Sequence, residues 1–129
     1  MSIRILVVED FAPFRQFISS TLAKVSDLQI ICEVADGLEA VQKAEELKPD
    51  LILLDIGLPT QSGIEAARQI RKLAPKSKII FLTQESSADV VEAARSLGAR
   101  GYVVKAKAGS ELLAAVHAVI SGELFFDGV

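Results

Sequence analysis

Leu51-Ile52-Leu53-Leu54-Asp55 is a run of four apolar residues that ends on an acid. A strand with one wet face alternates apolar with polar side chains, whereas a strand covered on both faces is apolar at every position. This stretch therefore reads as a central strand of a parallel sheet. Ile5-Leu6-Val7-Val8 and Ile79-Ile80-Phe81-Leu82 have the same character. Two more runs rich in β-branched residues, 29–34 and 101–105, complete a set of five strands with 3–8, 51–54 and 78–83.

Between the strands the apolar period becomes that of a helix. Phe14, Phe17, Ile18, Thr21, Leu22 and Val25 fall on one stripe, with Pro13 tolerated in the first turn. Asp36 and Glu39 have capping-box spacing ahead of a second helix over residues 38–47, which buries Ala40, Val41, Ala44 and Leu47 and stops before Pro49. Ser62-Gly63-Ile64-Glu65 is a full capping box for a third helix that reaches Leu73. A fourth, residues 87–97, is expected to take Ser86 as its cap and to end at Gly98. The fifth buries Leu112, Leu113, Val116, Val119 and Ile120, starts near Gly109 or Ser110, and stops at Gly122. Strands and helices alternating five times predict an α/β fold: a doubly wound five-stranded parallel sheet of order 2-1-3-4-5, flavodoxin-like, (βα)5.

A chain of 129 residues suits one domain, and 50% apolar against 24% charged residues excludes a disordered segment. No apolar run approaches the ~18 residues needed to span a bilayer. Met1-Ser2-Ile3-Arg4 leads into a strand and not a signal peptide, so a cytoplasmic protein with no membrane contact is expected. Cys32, the single cysteine, allows no intrachain disulfide and reads as a structural thiol. A net charge of −3 with no Lys/Arg-rich window predicts that this segment binds no nucleic acid. His117 reads as a surface residue, and Phe125 and Phe126 read as packing residues in preference to an association surface.

Ligands of a doubly wound sheet bind beyond the carboxyl ends of its strands. There stand Glu9 and Asp10 after the first strand, Asp55 after the third, Thr83 after the fourth and Lys105 after the fifth. With the first and third strands adjacent, three carboxylates enter one crevice. Two of them ~5 Å apart repel by about 3 kcal/mol at an effective dielectric of ~20, so the cluster needs a cation or raised pKa values. An all-oxygen set with room for water suits Mg²⁺, while a hydroxyl and an ammonium suit a phosphoryl group. Taken singly, Asp10 is as good an N-cap of the first helix, and Asp55, Thr83 and Lys105 are ordinary loop or edge residues. Their convergence on one crevice singles them out.

Four segments fall in a telling order: Val8-Glu9-Asp10; Leu53-Leu54-Asp55-Ile56-Gly57-Leu58-Pro59 with Ser62-Gly63; Phe81-Leu82-Thr83; and Gly98-Ala99-Arg100-Gly101-Tyr102-Val103-Val104-Lys105. Through them, over essentially the whole chain, the sequence resembles the receiver domain of two-component response regulators. The resemblance implies that Asp55 takes a phosphoryl group from a phosphohistidine of a sensor histidine kinase, or from a small donor such as acetyl phosphate. It implies Mg²⁺ as cofactor, with Asp10 and Asp55 as ligands, Glu9 acting through water and the Gly57 backbone carbonyl as a further ligand. Lys105 would offset charge on the transferring oxygens. Thr83 and Tyr102 would form the switch, the hydroxyl turning to the phosphoryl group and the ring following, which alters the surface around the fourth helix, fifth strand and fifth helix. Such a protein is a phosphoacceptor that catalyses its own phosphorylation and dephosphorylation, not a conventional enzyme.

Most receivers have proline after the lysine, whereas Ala106 stands here. A cis bond without proline costs ~2.5–4 kcal/mol, so a trans Lys105–Ala106 bond is predicted. That loop, with Val119-Ile120-Ser121-Gly122, resembles the NarL/LuxR-type subfamily, which usually carries a helix-turn-helix output domain. The expectation is the receiver part of a DNA-binding transcriptional regulator. Residues 1–121 form the receiver, and 122–129 a C-terminal tail or the start of a linker to an output domain absent here. An excised receiver and a single-domain regulator both fit, and a homodimer through the fourth and fifth helices is compatible with either. Gln84, Glu85 and Gly57 flank the site and are expected to tune access to Asp55 and the lifetime of its phosphate.

Three other functions fit less well. A phosphatase of the haloacid-dehalogenase class needs a second Asp where Gly57 stands. A flavin module would meet a repelling Glu9-Asp10-Phe11-Ala12 loop at its phosphate. A receiver fold that works without phosphorylation has normally lost acids or the lysine, and all are present.

Overall fold

The computed structural model describes residues 2–84 and 87–126. Its elements run β1 (Ile3–Val8), α1 (Ala12–Leu22), β2 (Leu28–Val34), α2 (Gly37–Leu47), β3 (Leu51–Asp55), α3 (Gly63–Leu73), β4 (Lys78–Thr83), α4 (Ala88–Ser96), β5 (Gly101–Val104), a 3₁₀ turn (Lys105–Lys107) and α5 (Ala108–Ile120). The strands form one parallel sheet of order β2-β1-β3-β4-β5. The doubly wound, flavodoxin-like architecture expected from the apolar runs is the one observed.

Both faces of the sheet are covered, which is why its central strands carry no polar alternation. On one face Leu6, Val8, Ile52, Leu54, Phe81 and Tyr102 pack against Ala40 and Ala44 of α2, Ala66, Ala67 and Ile70 of α3, and Ala94 of α4. On the other, Ile5, Val7, Leu51, Leu53, Ile80, Leu82 and Val103 pack against Ile18 and Leu22 of α1 and Leu112, Ala115, Val116 and Val119 of α5. At roughly 25 cal/mol per Å² of apolar surface removed from water, these two layers are the main source of stability.

The local signals mostly hold. Asp36 Oδ1 accepts the Glu39 amide at 2.8 Å, and Ser62 Oγ accepts the Glu65 amide at 3.2 Å, as the capping spacings require. Lys48, with φ 47, closes α2 in the left-handed region just before Pro49. Among the described residues there is no cis peptide bond, and Lys105–Ala106 is trans. His117 is exposed, and Cys32 is half-buried beside the cluster that α2 covers. Among the described residues, no helix is long and apolar enough to cross a membrane.

Several boundaries differ from expectation. The N-cap of α1 is Phe11, with no side-chain cap, so the N-cap reading of Asp10 fails. Helix α1 ends at Leu22, leaving Val25 of its stripe in the following loop. The cap of α4 is Ser87, whose Oγ accepts the Val90 amide at 3.3 Å, and Ser86 lies outside the described residues. Strand β5 ends at Val104, and Lys105 opens a 3₁₀ turn that feeds α5 at Ala108, earlier than Gly109. Phe125 pairs with Gly101 as a short parallel bridge at the free edge of β5 and is buried, so the packing reading holds for it.

Candidate functional site

The register of β1 on β3, Val8 beside Leu54, makes Glu9 and Asp55 neighbours at the carboxyl edge. Val7 and Leu53 face α1 and α5, and side chains alternate along a strand, so Glu9 and Asp55 share that face. Glu9, Asp10 and Asp55 offer carboxylate oxygens that all lie within 4.8 Å of one another. Glu9 and Asp55 are buried, while Asp10 is exposed to solvent. Lys105 reaches in from its 3₁₀ turn, with Nζ 2.8 Å from Glu9 Oε1 and 3.3 Å from Asp55 Oδ2. The same ammonium lies 4.9 Å from the centroid of the Phe14 ring, which caps it from α1.

Each carboxylate is held differently. Glu9 Oε2 accepts the Phe11 amide at 3.0 Å, and its buried Oε1 meets Lys105 without hydrogen-bond geometry. Arg15 Nη1 donates to the Glu9 carbonyl at 2.7 Å, while its Nε lies 3.6 Å from Glu33. The Gly57 amide donates to Asp55 Oδ1 at 3.3 Å. Burial pushes the Asp55 carboxyl up from 3.8 to about 6, and the charge of Glu9 adds to the rise. Lys105 and the Gly57 amide oppose it. The repulsion expected from three clustered acids is thus met by both routes at once, a neighbouring cation and a raised pKa. At formal charges one ammonium against three carboxylates gives +1 − 3 = −2, and the donors are all oxygen. The residues fit a small hard divalent cation.

A cleft of about 440 Å³ opens over this group, lined by Asp10, Asp55, Gly57, Thr83, Gln84 and Lys105 among others. Thr83 ends β4, buried, beside Val104 in register. Gln84 is exposed at the rim. Gly57 is exposed, with nothing within 4 Å of where a Cβ would stand. Tyr102 is buried on the α4 side of the sheet, beside Phe81. Glu85 lies outside the described residues. Three contributors went unrecognised in the sequence: Arg15 on the Glu9 carbonyl, Phe14 over the lysine, and the space requirement at Gly63. A Cβ on Gly63 would lie 2.1 Å from the Asp55 carbonyl oxygen, so only glycine lets α3 start this close to the site. The Ser62-Gly63 pair carried that last signal; the helical period put Phe14 on the apolar stripe of α1 without pointing it at the lysine, and no pattern marked Arg15.

The family model "Response regulator receiver domain" matches residues 5–117. The chain belongs to that family. The receiver is 38% identical over 127 residues to the response regulator protein VraR of Staphylococcus aureus, covering 98% of this chain and 61% of the relative. It spans less than two thirds of that curated relative. Among solved structures, a two-component response regulator of the LuxR family from Aurantimonas sp. superposes with a TM-score of 0.93 at 29% identity, covering 99% of this chain and 91% of the other. The signal receiver domain of NarL from Mycobacterium tuberculosis gives 0.88 at 24% identity, over 95% and 98%, which shows the shared fold. These relatives place the receiver with the NarL/LuxR-type subfamily and make it part of two-component signalling.

Proposed function

We propose that this receiver is a phosphorylation switch whose acceptor is Asp55. The observation that carries the reading is Lys105 Nζ set between Glu9 and Asp55 at 2.8 and 3.3 Å, beneath a cleft that Thr83 also lines. An Asp55 carboxylate oxygen attacks the phosphorus of a phosphohistidine on a sensor histidine kinase, or of acetyl phosphate. The P–N or P–O bond of the donor breaks, and its electron pair leaves with the donor. Lys105 and the Thr83 hydroxyl hold the phosphoryl oxygens, and positioning with fixed charge does most of the work. Asp10, Asp55, the Gly57 carbonyl and, through water, Glu9 would hold Mg²⁺. That ion, when bound, supplies the positive charge the site lacks and neutralises the phosphoryl oxygens.

Hydrolysis of the aspartyl phosphate in the same cleft resets the state, with Gln84 and Gly57 on the cleft lining, and Glu85 next in sequence, setting how easily water reaches it. Thr83 and Tyr102 convert the new charge into a changed surface at α4, β5 and α5. In this reading residues 1–121 form the receiver, and 122–129 begin the connection to the output domain of a cytoplasmic transcriptional regulator. A homodimer through the changed surface is compatible with it, and DNA is bound by the output domain and not by this segment.

The test is chemical mapping of the acceptor. The chain is incubated with acetyl phosphate and Mg²⁺, reduced with borohydride and digested, with homoserine at position 55 expected. Homoserine at another acid, or none in wild type, would overturn the proposal.

A further inference from the structure

Residues 121–126, beyond α5, are pinned to the body of the receiver. Gly122, with φ 93, turns it back, and the Glu123 amide donates to the Ala118 carbonyl at 2.9 Å. The Phe125 amide then donates to the Arg100 carbonyl at 2.9 Å, and its own carbonyl accepts the Tyr102 amide at 2.9 Å. This is a one-residue parallel strand on the otherwise open edge of β5. The next residue, Phe126, lays its ring against Tyr102, with centroids 6.3 Å apart and planes at 21°. The same ring takes the Arg95 guanidinium of α4, with Cζ 4.1 Å from the centroid. Phe126 therefore contacts both α4 and the β5 aromatic, and it packs against the fully buried Tyr102.

We propose that residues 123–126 are a latch on the α4–β5 edge whose docking is set by phosphorylation at Asp55, with Phe126 as the contact that senses Tyr102. This rests on the switch reading above and names its first output. Here the buried Tyr102 ring is stacked with Phe126, whereas a ring shifted toward Thr83 withdraws from that pair. The Tyr102 amide and the Tyr102 ring belong to one residue, so movement of the ring also disturbs the strand pairing that holds Phe125. Residues 123–126 are then released from the same edge that changes shape. Coupling of this kind is reciprocal: whatever the phosphoryl group does to the latch, weakening the latch does in reverse to the phosphorylated form. The two ring contacts have the strength to shift such an equilibrium by about fivefold.

Amide hydrogen exchange on the full chain reads the latch directly at Tyr102 and Phe125. With Mg²⁺ and acetyl phosphate, both amides are expected to exchange at least severalfold faster in wild type and to stay unchanged in Asp55→Ala. Intact mass on the same samples separates the two claims. A chain that gains no phosphoryl group overturns both, while one that gains it and keeps both amides equally protected overturns the latch alone. Phe126→Ala should speed exchange at the same amides without any phosphoryl donor and tighten binding of the phosphoryl analogue beryllium trifluoride. Phe126→Leu, which keeps apolar contact, should fall between. Identical analogue affinity in all three chains, each with a cooperative melt, contradicts the proposal.

Discussion

Asp55 must be ionised to attack phosphorus, and its surroundings work against ionisation, raising the carboxyl from 3.8 to about 6, mainly by burial. A raised carboxyl means that the unfolded chain gives up its proton first, so between about 3.8 and about 6 the folded state holds more protons. Stability then falls as pH rises through that window and stays lower above it. Asp55→Asn removes the penalty. Without divalent cations it should be more stable than wild type at pH 7 by on the order of 3 kcal/mol at most, with the advantage gone near pH 4. Denaturant melts of both chains across this range check the sign, and an advantage that grows toward acid would show it wrong. Gln84 stands exposed at the rim of the cleft. Gln84→Ala should shorten the life of the aspartyl phosphate severalfold, read as loss of phosphoryl mass with time, and an unchanged rate removes Gln84 from the account.

At the level of elements, α3 shows how the site depends on packing. Its first residue, Gly63, has no room for a Cβ against the Asp55 carbonyl, whereas at Gly57, on the same loop, a Cβ meets nothing. Gly63→Ala should therefore cost ~1–3 kcal/mol of stability or more, and Gly57→Ala much less, in paired denaturant melts. Ser62→Ala removes the bond to the Glu65 amide and should cost ~1 kcal/mol in the same assay. These elements also mark where sequence reading succeeds. The central strands and the caps at Asp36 and Ser62 were legible because the signal lies within a few residues of its effect. The end of α1, the cap of α4, where two adjacent serines both suit the position, and the turn that takes Lys105 out of β5 were not.

For the molecule as a whole, strand order turned separate strand ends into one site; alternation and crossover handedness left few orders, of which the observed 2-1-3-4-5 is the usual one for a chain of this length. Glu9, Asp10, Asp55, Thr83 and Lys105 were found because a doubly wound sheet can only gather ligands at its carboxyl edge. What the chain did not disclose depends on distances between elements: Phe14 on the lysine, Arg15 on the Glu9 carbonyl, and Phe126 folding back onto Tyr102. The central claim concerns the charge of the assembled site, three carboxylates around one ammonium, which should not tolerate an incoming phosphoryl group without a divalent cation. Its most direct test is intact mass of the chain after acetyl phosphate, in Mg²⁺ and in excess chelator. The account predicts one added phosphoryl group with Mg²⁺, and none in chelator or in Asp55→Asn. Equal phosphorylation in chelator, or on Asp55→Asn, would contradict it.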